Sequence, residues 1–200
     1  MNSQRLRVDD AEPLPRRRLI VFLRALLFLP HYVVLSVWGA LVVPVVAVSW
    51  IAALVTGRVP RGFHRFLAAH LRYQGQAYAW LALLSATYPD PLRTREHPFG
   101  IETPDARRQP RLVTLFRLVL VLPALVLASV FAVVLSGVAV AAWFVALVLG
   151  RTTAGLQELG TFCLRYQLET YAYVGLVTSS YPRLEPVPPP AEQLLLPGLE

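Results

Sequence analysis

A tandem duplication constrains this chain more than any other feature. A shift of 93 positions lays Arg18 on Arg111, Arg24 on Arg117, Pro30 on Pro123 and Trp50 on Trp143. The same shift pairs Gly57-Arg58 with Gly150-Arg151, Leu71-Arg72-Tyr73-Gln74 with Leu164-Arg165-Tyr166-Gln167, Tyr78 with Tyr171, and Tyr88-Pro89 with Tyr181-Pro182. No gap is needed from 18 to 89, and 26 of those 72 positions are identical. Convergent hydrophobicity would match Leu with Val; it would not match Arg, Trp, Tyr and Pro at one offset.

The repeat divides the chain. Residues 1–15 form a polar N-terminal tail, 16–91 the first unit, 92–108 a polar linker and 109–184 the second unit. Residues 185–200, with Pro186, Pro188, Pro189 and Pro190, form an extended Pro-rich tail.

Composition then places the units in a lipid environment. The chain is 56% apolar and only 16% charged, whereas an ordinary soluble domain is about a quarter charged. All nineteen basic residues are arginine. They flank apolar runs, which points to lipid headgroups as partners and away from nucleic acid. One cysteine, Cys163, rules out a disulfide framework. The run Leu19–Val55 is too long for a signal-peptide core and reads as an uncleaved anchor.

Each unit begins with a long apolar run, Leu19–Val55 or Leu112–Leu149. A single helix of that length exceeds a hydrocarbon core of about 30 Å. Two solutions arise. Pro30 and Pro123 can separate an interfacial segment, carrying Arg24 or Arg117, from one span; this is the preferred reading, because an arginine there snorkels more easily than it buries. Alternatively, the run folds as a hairpin near Pro44 and Gly137. After a Gly-rich loop, a less apolar, amphipathic helix is expected over 63–87 and 156–180, ending at Tyr-Pro. Arginines cluster before the first unit and in the linker, so positive-inside reasoning places both, and the C-terminus, in the cytoplasm. The parity that follows predicts an all-α integral membrane fold of two tandem parallel repeats with about four transmembrane spans.

The unit pattern runs Arg-Leu, Arg, Leu-Pro, an apolar stretch to Trp, Thr-Gly-Arg-Val-Pro-Arg-Gly-Phe, Leu-Arg-Tyr and Tyr-Pro. It resembles the DUF4389 family of bacterial membrane proteins across both units. The second unit departs at Thr152-Thr153-Ala154, opposite Val59-Pro60-Arg61, and at Ala124, opposite His31. The resemblance implies a multi-pass protein of the bacterial inner membrane and supplies no catalytic residues.

Candidate chemistry is sparse. His64 and His70 are six apart, a poor spacing for a metal pair on a helix, and no phosphate-binding or dinucleotide loop is present. No metal, cofactor or enzymatic activity is expected. The best polar candidates lie on the amphipathic helices. Arg58, Arg61, Arg65 and Arg72 are candidates for binding anionic lipid or a partner. Arg165, Glu158, Glu169, Tyr73, Gln74, Tyr166 and Gln167 are candidates for a buried polar network, in which Arg65 and Arg72 complement Glu158 and Glu169 across the repeats. The expected role is a non-enzymatic accessory or scaffold subunit contacting anionic lipid, with a membrane-protein partner or a second copy. The alternative is a small transporter or lipid-handling protein with a polar site between the repeats.

Overall fold

A computed structural model of the chain describes residues 6–7, 18–91, 100–101 and 111–184. The Pro-rich tail and nearly all of the 92–108 linker lie outside the described residues. Four helices carry the fold: α1 (Arg18–Thr56), α2 (Arg61–Leu81), α3 (Arg111–Leu149) and α4 (Ala154–Val174). The two-residue strands β1 (Leu6–Arg7) and β2 (Gly100–Ile101) pair antiparallel.

α1 and α3 contain 39 residues each, so each is about 58 Å long. Neither breaks. α1 runs unbroken through Pro30 and Pro44, and α3 through Pro123 and Gly137. This corrects both the interfacial-segment and the hairpin expectations. The reason lies in the buried stripe. On α1 it runs Val21, Arg24, Phe28, His31, Leu35, then through partly buried Trp38, Val42 and Val45 to Ser49 and Ala53. The alternating three- and four-residue spacing keeps it on one face. The stripe on α3, from Thr114 and Arg117 to Ala142 and Ala146, occupies the matching positions of the repeat. All three prolines fall on the outward face, where the ring displaces no neighbour. Both helices are apolar around their whole circumference yet buried along this stripe alone; Val43, Val133 and Val148 are each more than 70% exposed.

Each long helix turns back through a glycine in the left-handed conformation, Gly57 (φ 70°) or Gly150 (φ 71°), the usual way to stop a helix. α2 and α4 end at Leu81 and Val174, six residues short of the expected ends. The cause is a turn repeated bond for bond. Leu84 N donates to Ala79 O, and Val177 N to Ala172 O, both at 2.9 Å. Leu83 and Leu176 take positive φ, 59° and 57°. That conformation costs a leucine about 1–3 kcal/mol, so packing must hold it. Leu83 seats against Val21, Ala142 and Ala146. Leu176 seats against Ala53 and Val59. Each turn therefore plugs into the other unit.

This plugging sets the topology. The Trp143 indole donates to Val21 O, and the Trp50 indole to Val174 O. The start of α1 thus meets the end of α3, and the end of α1 meets the end of α4. His64 at the start of α2 bonds Val177 O beyond the end of α4, while Gly160 near the start of α4 lies under Leu84. All neighbouring helices are antiparallel: α1 with α2 and α3, α4 with α2 and α3. The result is two layers, α1/α3 and α2/α4, related by a pseudo-twofold perpendicular to the helices. The seating of Leu83 and Leu176 in opposite units sets each long helix antiparallel to its counterpart in the other unit.

The pseudo-twofold passes through a contact between equivalent residues, Gly75 and Leu168. A Cβ on Gly75 would lie 2.9 Å from Leu168 Cδ1. Gly75→Leu should therefore cost about 1–3 kcal/mol by overpacking. The exchange Gly75→Leu with Leu168→Gly should restore most of it, because it rebuilds the same pair with the units interchanged. Thermal unfolding in detergent micelles of both single variants and the double variant measures this coupling.

Candidate functional site

Four groups of polar residues are ordered by this frame. The first is a pair of buried arginines. Arg24 is 3% exposed and Arg117 1%, so neither snorkels as the sequence suggested. Each reaches back to the turn ending its own hairpin. Arg117 Nη2 donates to Thr178 O at 2.7 Å, and its guanidinium lies 4.0 Å from the Tyr173 ring centre. Arg24 Nη2 donates to Ser85 O at 3.5 Å and lies 4.5 Å from the Trp80 ring centre. Carbonyls left over at a helix C-terminus favour a cation, and the aromatic face adds attraction. These arginines thus satisfy the turns that carry Leu83 and Leu176. The sequence signal was present in the paired arginines at 24 and 117; their partners were not.

The second group is the arginine face. Arg58, Arg61 and Arg65 are exposed around the α1–α2 junction, and Arg72 is half-buried further along α2. Arg61, Arg65 and Arg72 share one side of the helix by their four- and seven-residue spacing.

The third is the expected polar network, which is only partly assembled. Arg165 Nε lies 3.9 Å from Glu169 Oε1, and Glu169 Oε2 accepts from Arg183 N at 3.0 Å. In the first unit Gln76 Oε1 accepts from Asp90 N at 3.3 Å. Gln76 and Glu169 are equivalent, and each ties the returning chain to its helix. Arg65 and Glu158, expected to complement each other, sit at opposite ends of the antiparallel α2/α4 pair, and both are exposed. Tyr73 belongs to a different cluster, where its hydroxyl hydrogen-bonds His31 Nδ1. Tyr166 packs edge-on against Phe131, and Gln167 Nε2 donates to Cys163 O at 3.3 Å.

The fourth is a cavity of about 740 Å³ between the units, which brings Gln74 and Gln167 together with Tyr78 and Tyr171. Arg24 and Ala25 of α1 close one side, and the α3 segment from Ala132 to Phe144 forms the opposite wall. Sequence reasoning named the two glutamines. It missed the α3 wall, whose residues look like those of any long apolar helix. Among the described residues no group of three or more His, Cys, Asp or Glu could hold a metal ion.

The family described as "Domain of unknown function (DUF4389)" matches residues 18–93 and 111–184. The chain belongs to the DUF4389 family. It carries two copies of the domain, coincident with the two helical hairpins. No curated protein and no solved structure matches the chain.

Two predictions follow from the polar groups. Glu169→Gln should leave stability within about 0.5 kcal/mol, because Gln76 already makes the equivalent bond; Glu169→Leu, which removes the contact with Arg165 and the bond from the exposed Arg183 N, should lower it by about 0.5–1.5 kcal/mol. Arg117→Gln should lower the unfolding temperature more than Arg24→Gln, since its bond to the turn is 0.8 Å shorter by the two distances above. Melting curves in one detergent compare all four variants.

Proposed function

We propose that this is a membrane-embedded, non-enzymatic protein that contacts anionic lipid and serves as an accessory or scaffold subunit in the bacterial inner membrane. One observation carries the reading: α1 and α3 are long enough and apolar enough to cross a membrane, yet outside one narrow stripe their apolar side chains are exposed. A contiguous apolar surface of that extent is untenable in water and is what a bilayer requires.

The layering supports a particular disposition. Four upright spans would require the chain between α2 and α3 to cross the bilayer, because those two ends lie at opposite ends of the antiparallel bundle. That stretch includes Arg93, Arg95, Glu96, Glu102, Asp105, Arg107 and Arg108, and charged side chains are costly in hydrocarbon. In the arrangement we favour, the bundle lies along the membrane, with α1/α3 in the hydrocarbon and α2/α4 toward the headgroups. The pseudo-twofold then follows the membrane normal, and both units meet the same environment. Arg61, Arg65 and Arg72 face anionic headgroups, each such contact being worth about 1 kcal/mol, and Arg58 joins them at the junction. The second reading, a lipid-handling protein, is favoured by the cavity between the units.

Carbonate-washed membranes should retain the protein. Single cysteines placed at exposed positions 61, 86, 154 and 179, in a Cys163→Ser background, should all react with an impermeant maleimide from the same side. Labelling of 61 and 86 from opposite sides would establish upright helices instead. Gentle affinity purification with mass spectrometry of protein and lipid separates the roles: a stoichiometric partner supports a subunit, and anionic lipid lost on neutralising Arg61 and Arg65 supports the arginine contact.

A further inference from the structure

We propose that the cavity between the units binds an uncharged single-chain lipid whose head carries hydroxyls, of the monoacylglycerol kind, taken from the surrounding membrane. The inference deepens the lipid-handling reading and rests on the membrane placement of α1 and α3.

The head is decided by which polar groups the cavity leaves open. Gln74, Tyr78 and Tyr171 line it, and their side chains make no hydrogen bond among the described residues. Gln167 is only 9% exposed; it donates from Nε2 to Cys163 O at 3.3 Å and leaves Oε1 without a partner among the described residues. The other polar side chains of the lining are committed elsewhere. Ser136 Oγ donates to Ala132 O at 2.8 Å, and the Trp143 indole to Val21 O. Arg24 donates to Ser85 O and stacks on Trp80, and neither of those residues lines the cavity.

Charge is therefore excluded on both signs. No acidic side chain is in the lining, and the one guanidinium is held away from it. An ionised head would lose its water and gain no counter-charge. What the cavity offers is amides and phenols, which both donate and accept. A head of acceptors alone, such as a ketone, would leave the carbonyls of Gln74 and Gln167 unserved. A hydroxyl serves donors and acceptors together. The open groups come as two equivalent pairs, Gln74 with Gln167 and Tyr78 with Tyr171, so a head with more than one hydroxyl matches them better than a simple alcohol.

The tail is decided by α3. Ala132, Ser136 and Ala139 line the opposite wall at spacings of four and three, so they stack along one face of the helix and leave a slot. The equivalent positions on α1 are Gly39, Val43 and Val46, two of them larger. Val140 and Phe144 complete the wall and are 57% and 58% exposed. The slot thus opens onto the apolar surface that faces lipid, and a chain can enter sideways without crossing water. At about 740 Å³ the cavity has the size and the mostly apolar lining of a small-molecule site. Its polar groups lie on α2 and α4, the layer placed toward the headgroups, so a bound lipid keeps the orientation it has in the bilayer.

The test uses the full-length protein in phosphatidylcholine vesicles and a monopalmitoylglycerol carrying a diazirine near its chain end. Adducts should map by peptide mass spectrometry to residues 132–144. Excess unlabelled monopalmitoylglycerol should cut them at least about fivefold, which is about 1 kcal/mol of selectivity. Ser136→Phe, which fills the slot from an exposed position, should abolish them. Gln74→Leu, of similar size, should weaken them while the unfolding temperature is kept. Three matched diazirine probes should label the slot poorly: palmitate held ionised at alkaline pH, a long-chain methyl ketone, and a diacylglycerol. Equal labelling by palmitate would overturn the uncharged head, equal labelling by the ketone the hydroxyls, and equal labelling by the diacylglycerol the single chain. Adducts spread over outward positions such as Val33, Val43 and Val126, without competition, would mean annular contact only and would overturn the site. Carbonate extraction of the same preparation keeps two failures apart. Retained protein without competed adducts overturns the site alone, and released protein overturns the membrane placement on which the site rests.

Discussion

Two leucines hold this architecture in place. Leu83 and Leu176 occupy a backbone conformation that disfavours them, and each is 1% exposed. The strain persists because each side chain fills a socket built by the other unit, around Ala146 for Leu83 and around Ala53 for Leu176. Both alanines are fully buried, and a larger residue there would close the socket. Around this exchange the rest is determined. The tryptophans at the ends of α1 and α3 donate across the bundle, the buried arginines satisfy the turn carbonyls, and the units become antiparallel. A hairpin alone, with one long and one short helix, has no such partner for its turn, which is a physical reason for the domain to occur twice in one chain.

Antiparallel pairing has a consequence for the membrane. Two units facing the same way could stand upright with their connection on one side. In the disposition proposed above, two reversed units joined by a polar segment place their shared axis along the membrane normal, and α1 and α3 turn their exposed apolar side chains to acyl chains. Polar ties such as Glu169 to Arg183 N and Gln76 to Asp90 N lie on the α2/α4 layer.

The units have diverged within a common frame. The first unit places His31, Trp38, His70 and Trp80 where the second has Ala124, Phe131, Cys163 and Tyr173. These side chains make an aromatic cluster in which His31 meets Tyr73, Tyr88 and Trp80. The second unit instead carries the small α3 wall that opens the cavity. Divergence is tolerated because the retained positions, the arginine, the turn leucine and the junction glycine, are those that set the backbone.

The linear order of residues was sufficient for the duplication, for two long apolar runs and two amphipathic helices, and for loops at Gly57 and Gly150; that each apolar run stays one unbroken helix was not legible in it. Those features are local, since periodicity, composition and turn chemistry act over a few residues. Even the buried stripe is a three-and-four spacing that can be read along α1. What tertiary structure alone decided is which surfaces meet. Arg24 and Arg117 looked like interfacial anchors until the carbonyls of distant turns lay beside them. Arg65 and Glu158 looked complementary until antiparallel packing set them at opposite ends. Gln74 and Gln167 were visible as a repeated pair, but their shared cavity depends on a wall from α3 that no local pattern marks. The direction of one unit against the other rests on a leucine entering a socket more than fifty residues away, and an interaction over that separation leaves no trace in periodicity.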